Sequence, residues 1–175
     1  MNKIETDVWH WLENYIEVKN EFYDYKFPPC PFAKAARLSG LVIVKSFKNK
    51  SVRNFINDQT TDLIEEKKYS VLIMVFPPRI AWSIGLKHYI KKLNQTLIPQ
   101  DFYAQYGTAI NTSSQYTGFF NQGPYFIIIV NKLSDVLDGH MSLLKTDYYT
   151  PWDDFHYEEV VVRRQQAYEK NKVNK

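Results

Sequence analysis

The sequence predicts one α+β domain over residues 1–175, a helix/sheet sandwich in which a small sheet of three or four strands carries packed helices, loosely ferredoxin-like. Three observations predict it. Segments with apolar residues at helical spacing alternate along the chain with short β-branched or aromatic runs. With 45% hydrophobic and 23% charged residues among 175, the composition is that of a globular domain able to bury a core without staples. No repeat, low-complexity tract or linker-like segment divides the chain.

Ile4, Val8, Trp11, Leu12, Tyr15 and Ile16 recur on one helical face, so residues 4–19 are expected to form an amphipathic helix. Residues 22–29 end in Pro28-Pro29 and form a loop expected to lie over aromatic pockets. From Cys30 to Gly40, a proline followed by helix formers and a closing glycine predicts a short helix, with Cys30 at its cap and Pro31 in its first position. Leu41–Val44 is a short buried strand, and Ser51 caps a helix over 52–67 whose inner face is Val52, Phe55, Ile56 and Leu63. A second strand covers 70–76 until Pro77-Pro78 stops it. Trp82, Leu86, Tyr89, Ile90, Leu93 and Leu97 then trace a helix that ends before Pro99. Phe102, Tyr103 and Tyr106 suggest a strand, followed by a long loop from Gly107 to Gly123. Tyr125–Val130 is continuously apolar, as a central strand buried on both faces would be. Ser134 is expected to cap the next helix, and Thr150-Pro151-Trp152-Asp153 opens the last, which frays from about residue 170. The β-branched run Val160–Val162 pulls against helix and leaves a strand there as an alternative.

A lone Cys30 cannot form an internal disulfide, and no paired cysteines suggest zinc, which fits a reducing, cytoplasmic setting. The amino terminus carries Glu5, Asp7 and Glu13 within its amphipathic pattern, unlike the apolar region of a signal peptide. The apolar runs are too short to span a bilayer as helices, so no membrane partner is expected. The net charge of +3 is mild, with acidic and basic residues interspersed. Lys45, Lys48, Lys50 and Arg53, the helix lysines Lys87, Lys91 and Lys92, and Arg163 with Arg164 read as solvated faces, making nucleic acid an unlikely partner. The absence of Gly-x-Gly-x-x-Gly and Gly-Lys-Ser patterns argues against nucleotide-dependent phosphoryl transfer, and no cofactor is expected.

Two places could carry chemistry. Cys30, beside a helix amino terminus and flanked by Pro29 and Pro31, is the candidate catalytic nucleophile; the competing reading is a small buried apolar residue in a tight turn. A base would have to come from His10, His88, His140 or His156, none of them close in sequence. The 107–123 loop mixes uncharged hydrogen-bonding groups with rings. Tyr106, Asn111, Ser114 and Tyr116 are the candidate substrate-binding residues, against the alternative of an aromatic-anchored surface loop. The pairs His10/Glu13 and Asp153/His156 lack a third ligand at suitable spacing, so no metal site is expected.

Cys30-Pro31-Phe32-Ala33-Lys34, after a tryptophan-bearing first helix, resembles uncharacterised bacterial domain families with a Cys-Pro-Phe motif in that place. Thr108–Ser114 followed by Pro124-Tyr125-Phe126-Ile127 is similar to the Asn/Ser-rich segment before a Pro-led apolar strand in those families. The resemblance marks Cys30 and the later loop without implying a reaction, and the stretch Gln115–Gln122 lacks the arginine that an anionic ligand would ask for. The function expected is a small-molecule enzyme or ligand-binding domain with its pocket between Cys30 and the 107–123 loop. A non-enzymatic interaction domain, such as a homodimer with an aromatic face, is the alternative.

Overall fold

The computed structural model describes residues 2–48, 51–77, 85–108 and 125–173. Four strands form one sheet: β1 (Val42–Ser46), β2 (Val71–Phe76), β3 (Phe102–Thr108) and β4 (Phe126–Lys132), in the order β1-β2-β4-β3. β1 and β2 are parallel and paired Val42 to Val71, which requires the crossover supplied by helix α3 (Val52–Glu66). The other pairs are antiparallel, β2 with β4 from Val71–Asn131 to Phe76–Phe126, and β3 with β4 from Phe102–Lys132 to Thr108–Phe126. The all-apolar run around Ile128 is therefore a central strand, as its composition implies, with helices over both faces.

One face presents Leu72, Met74, Phe76, Phe126, Ile128, Val130, Phe102 and Ala104. Against it pack Phe55, Ile56 and Leu63 of α3 and Leu86, Ile90, Leu93 and Leu97 of α4 (Leu86–Leu97). Gly85 precedes α4 with φ +93°, a conformation that side chains on Cβ strongly disfavour. The opposite face presents Val44, Ile73, Val75 and Ile127. It is covered by Val8, Trp11, Leu12 and Ile16 from α1 (Lys3–Trp11) and its continuation through a wide π turn at Leu12–Ile16. Tyr15, which the periodicity places on the inner face, is instead half exposed, because the π turn carries that part of the helix out of α-helical phase.

A capping box between Asn2 and Glu5 starts α1, and Glu5 also accepts a 3.1 Å hydrogen bond from the Ser46 hydroxyl at the end of β1. The second helix, α2 (Ala33–Leu38), begins later than its sequence suggests: Phe32 is the cap, and Cys30 and Pro31 lie in the preceding turn. Arg37 anchors α2 to the first helix with a two-pronged bond to Glu17 at 2.7 and 2.9 Å and a further contact to Glu13 at 2.9 Å.

Helix α5 (Leu133–Leu143) is capped from a distance. The Asp101 carboxylate accepts from the Ser134 amide at 2.9 Å and its hydroxyl at 2.6 Å, so Ser134 is capped rather than capping. The final helix opens with Asp153 as its cap, as expected. It runs as α6 (Asp154–Tyr157), a second π turn at Glu158–Val162, and α7 (Arg163–Val173). The three consecutive valines thus resolve their conflict with α-helix as a wide turn rather than a strand. No helix among the described residues is long and apolar enough to cross a membrane.

Candidate functional site

The face of β3 opposite its core residues carries Tyr103 and Gln105, since side chains alternate along a strand. Arg164, from the first turn of α7, lies over both: its guanidinium sits 5.6 Å from the Tyr103 ring centre and donates to the Gln105 side-chain oxygen at 2.8 Å. Its Nε is buried and has no hydrogen-bond partner among the described residues. Arg164 is therefore not the solvated helix arginine that the sequence suggests; that description fits Arg163, which reaches Glu159 one turn back. Burial pushes the Arg164 pKa below its ordinary value against the pull of Tyr103, Tyr149 and Cys30.

An aromatic assembly adjoins the guanidinium. Tyr23 stacks on Tyr148 at 4.7 Å, Tyr149 meets Trp152 edge-on at 5.1 Å and Tyr157 at 5.2 Å, and Trp152 donates to the Tyr23 hydroxyl at 3.0 Å. His140 of α5 is buried, and its Nδ1 shares a 3.0 Å hydrogen bond with the Tyr149 hydroxyl. Burial, with Arg164 as a second influence, depresses the His140 pKa, so the ring is neutral at neutral pH.

Cys30 lies within electrostatic reach of Arg164 and Tyr149. Its amide donates to the Ile16 carbonyl at 3.2 Å, and the Tyr148 hydroxyl donates to the carbonyl of Pro29 beside it, fixing the Pro-Cys-Pro turn against the aromatic assembly. Part of the residue reaches solvent, yet burial of the sulfur is the largest influence on the thiol and pushes its pKa up. The amides of Phe32 and Ala33 and the Arg164 charge pull it down without reversing the sign. A six-residue α2 contributes little dipole, and Cys30 precedes it by a turn, so the thiolate-forming geometry inferred from the motif is weak.

Of the residues singled out for substrate binding, Tyr106 packs near Phe126 with ring centres 6.1 Å apart, on the sheet face opposite Cys30. Asn111, Ser114 and Tyr116 lie outside the described residues, as does most of the 107–123 loop. The cysteine is instead brought together with Arg164, His140 and Tyr149, which sequence spacing could not connect.

The remaining candidates are dispersed. His10 is engaged by the Asn14 amide at 3.1 Å, while the Asp153 carboxylate accepts from the His156 backbone amide at 2.6 Å. No group of three potential ligands suited to a metal occurs among the described residues. An open groove of about 530 Å³ between α1 and α2 is lined by Thr6, Trp9, His10, Glu13 and Arg37, but its cation is already held by Glu13 and Glu17. Lys91 and Lys92 are exposed, and Arg53 lies 5.6 Å from the Tyr89 ring centre. No family model, curated protein or solved structure matches the chain.

Proposed function

We propose that the protein is a small-molecule enzyme or ligand-binding domain whose site is the cluster of Arg164, Gln105, Tyr103, His140 and Tyr149, with Cys30 as a ligand contact on its wall. The observation that carries this reading is the Arg164 guanidinium, inserted among rings with an unpaired Nε and no carboxylate partner among the described residues. A cation so placed is costly to bury and is retained against that cost where it meets something that binds. The Cys-Pro-Phe resemblance adds support by marking the same wall.

The test is a fragment screen by protein-observed NMR on the native chain. Hits are expected to perturb the Arg164 Nε–H and the Tyr149 and His140 ring signals together. A set of hits that consistently perturbs other regions and leaves these signals unmoved would remove the basis for the site.

A second reading draws on the exposed apolar side chains Phe155, Leu38, Tyr25, Met141 and Leu144. In it the chain is an interaction domain that pairs with a second copy, and light scattering would show a mass that rises with concentration.

A further inference from the structure

We infer that the ligand recognised at Arg164 is a small organic monoanion, a carboxylate on an apolar and preferably aromatic body. This deepens the ligand-site reading above and rests on it. The first step concerns charge. The thiol and phenols that could serve as internal counter-anions are held neutral by the burial that surrounds the guanidinium, and Glu17, the carboxylate that acts on Cys30, is taken up by the two-pronged bond from Arg37. Burial pushes up the Cys30 thiol, holds Tyr148 far above the ordinary phenol range, and raises Tyr149 to about 12. The cluster therefore carries one uncompensated positive charge at neutral pH, since His140 is neutral as well.

The second step concerns the number of charges. Arg163 is engaged by Glu159, and Arg164 is the cation among the leading electrostatic influences on Cys30, His140 and Tyr149. A single cation balances a monoanion, whereas a dianionic phosphate group asks for several cations or a row of backbone amides. The third step concerns shape. One of the five N–H groups of Arg164 goes to Gln105 and the Nε–H has no partner among the described residues, so Nε and a neighbouring Nη–H offer the planar fork that suits a carboxylate. The surrounding surfaces are the rings of Tyr103, Tyr149, Trp152 and Tyr157, which favour a flat apolar body.

The experiment titrates the native protein with benzoate, its neutral isostere benzamide and inorganic phosphate, following the Arg164 Nε–H resonance and Trp152 fluorescence. Benzoate is expected to bind roughly tenfold or more tightly than benzamide, the increment of one charge-assisted hydrogen bond. Arg164→Met should remove that preference and Arg164→Lys should restore only part of it, with near-ultraviolet circular dichroism confirming that each variant is folded. The comparison within the native protein stands without either variant. Equal binding of benzoate and benzamide at these signals overturns the anion inference and leaves the ligand site intact. Preferential binding of phosphate overturns the monocarboxylate class. Absence of any response at Arg164 overturns the inference, and the fragment screen then decides the ligand-site reading on its own.

Discussion

Removing the Asn94 side-chain amide should expose the open edge of the sheet. Among the described residues β3 is an edge strand, and the backbone groups of Ala104 that face away from β4 have no neighbouring strand there to pair with. Asn94 of α4 takes that place: its Nδ2 donates to the Ala104 carbonyl at 2.9 Å, and its Oδ1 accepts from the Ala104 amide at 2.7 Å. Asn94 is only 8% exposed and Ala104 1%, so water cannot readily replace these bonds. Asn94→Ala orphans one buried donor and one buried acceptor, each costing about 1–3 kcal/mol, for a combined loss of roughly 2–6 kcal/mol. Against a typical domain stability of about 5–15 kcal/mol, that is a large fraction. With a urea m-value of about 2 kcal/mol/M, a mid-range loss lowers the unfolding midpoint by roughly 2 M. Urea melts at constant m-value measure this, and amide exchange at Ala104 should accelerate in step. A loss below about 0.5 kcal/mol with the Ala104 amide still protected would refute the claim that Asn94 closes this edge.

Three further outcomes follow from the same structure. The folded-state pKa values of His140 and His156 are depressed by burial, so their contribution to stability is complete above about pH 6.5 and declines as pH falls through the depressed values. Paired urea melts across that window should show a shallower decline for His140→Gln than for the native chain; equal slopes would contradict the His140 part. The raised Cys30 pKa implies slow alkylation at neutral pH with a midpoint above the usual thiol value of about 8.5. Rapid labelling at pH 7 would instead mark the thiol as activated. Asp101→Ala removes the cap of α5 and should cost about 1–2 kcal/mol, whereas Asp101→Asn keeps an acceptor and should recover most of it; equal effects in thermal melts would show that Asp101 acts otherwise.

What the sequence made legible is the part governed by short-range pattern. The apolar runs at Val71–Phe76 and around Ile128, the periodic faces of α3 and α4, and the Asp153 start of the last helix all depend on neighbours within a few residues. Strand order was not legible, because it is fixed by which faces bury against each other across long separations. Ser134 illustrates the same limit: it has the chemistry of a cap, but Asp101 reaches it from 33 residues away. The candidate site shows it most clearly. Cys30 could be singled out from its proline flanks, but Tyr103, His140, Tyr149 and Arg164 carry no mutual spacing, and Arg164 beside Arg163 reads as one more solvated cation. The one available signal was the valine triplet just ahead of it, whose conflict with helix marked the segment as irregular.

The wide turn at Glu158–Val162 holds one more residue than an α-helical turn of equal span, so everything after it is rotated by about a quarter of a revolution or slightly more relative to an unbroken helix. Which of two adjacent arginines points at β3 is thus set by a count of residues rather than by their identity. Straightening this stretch into α-helix with all of its residues kept would swing Arg164 away from Gln105, whereas loss of one residue would leave an α-helical turn of the same span and Arg164 in place. The turn is a phase setting: Arg164 meets β3 because the extra residue is absorbed locally at Glu158–Val162 instead of being carried on as helical rotation.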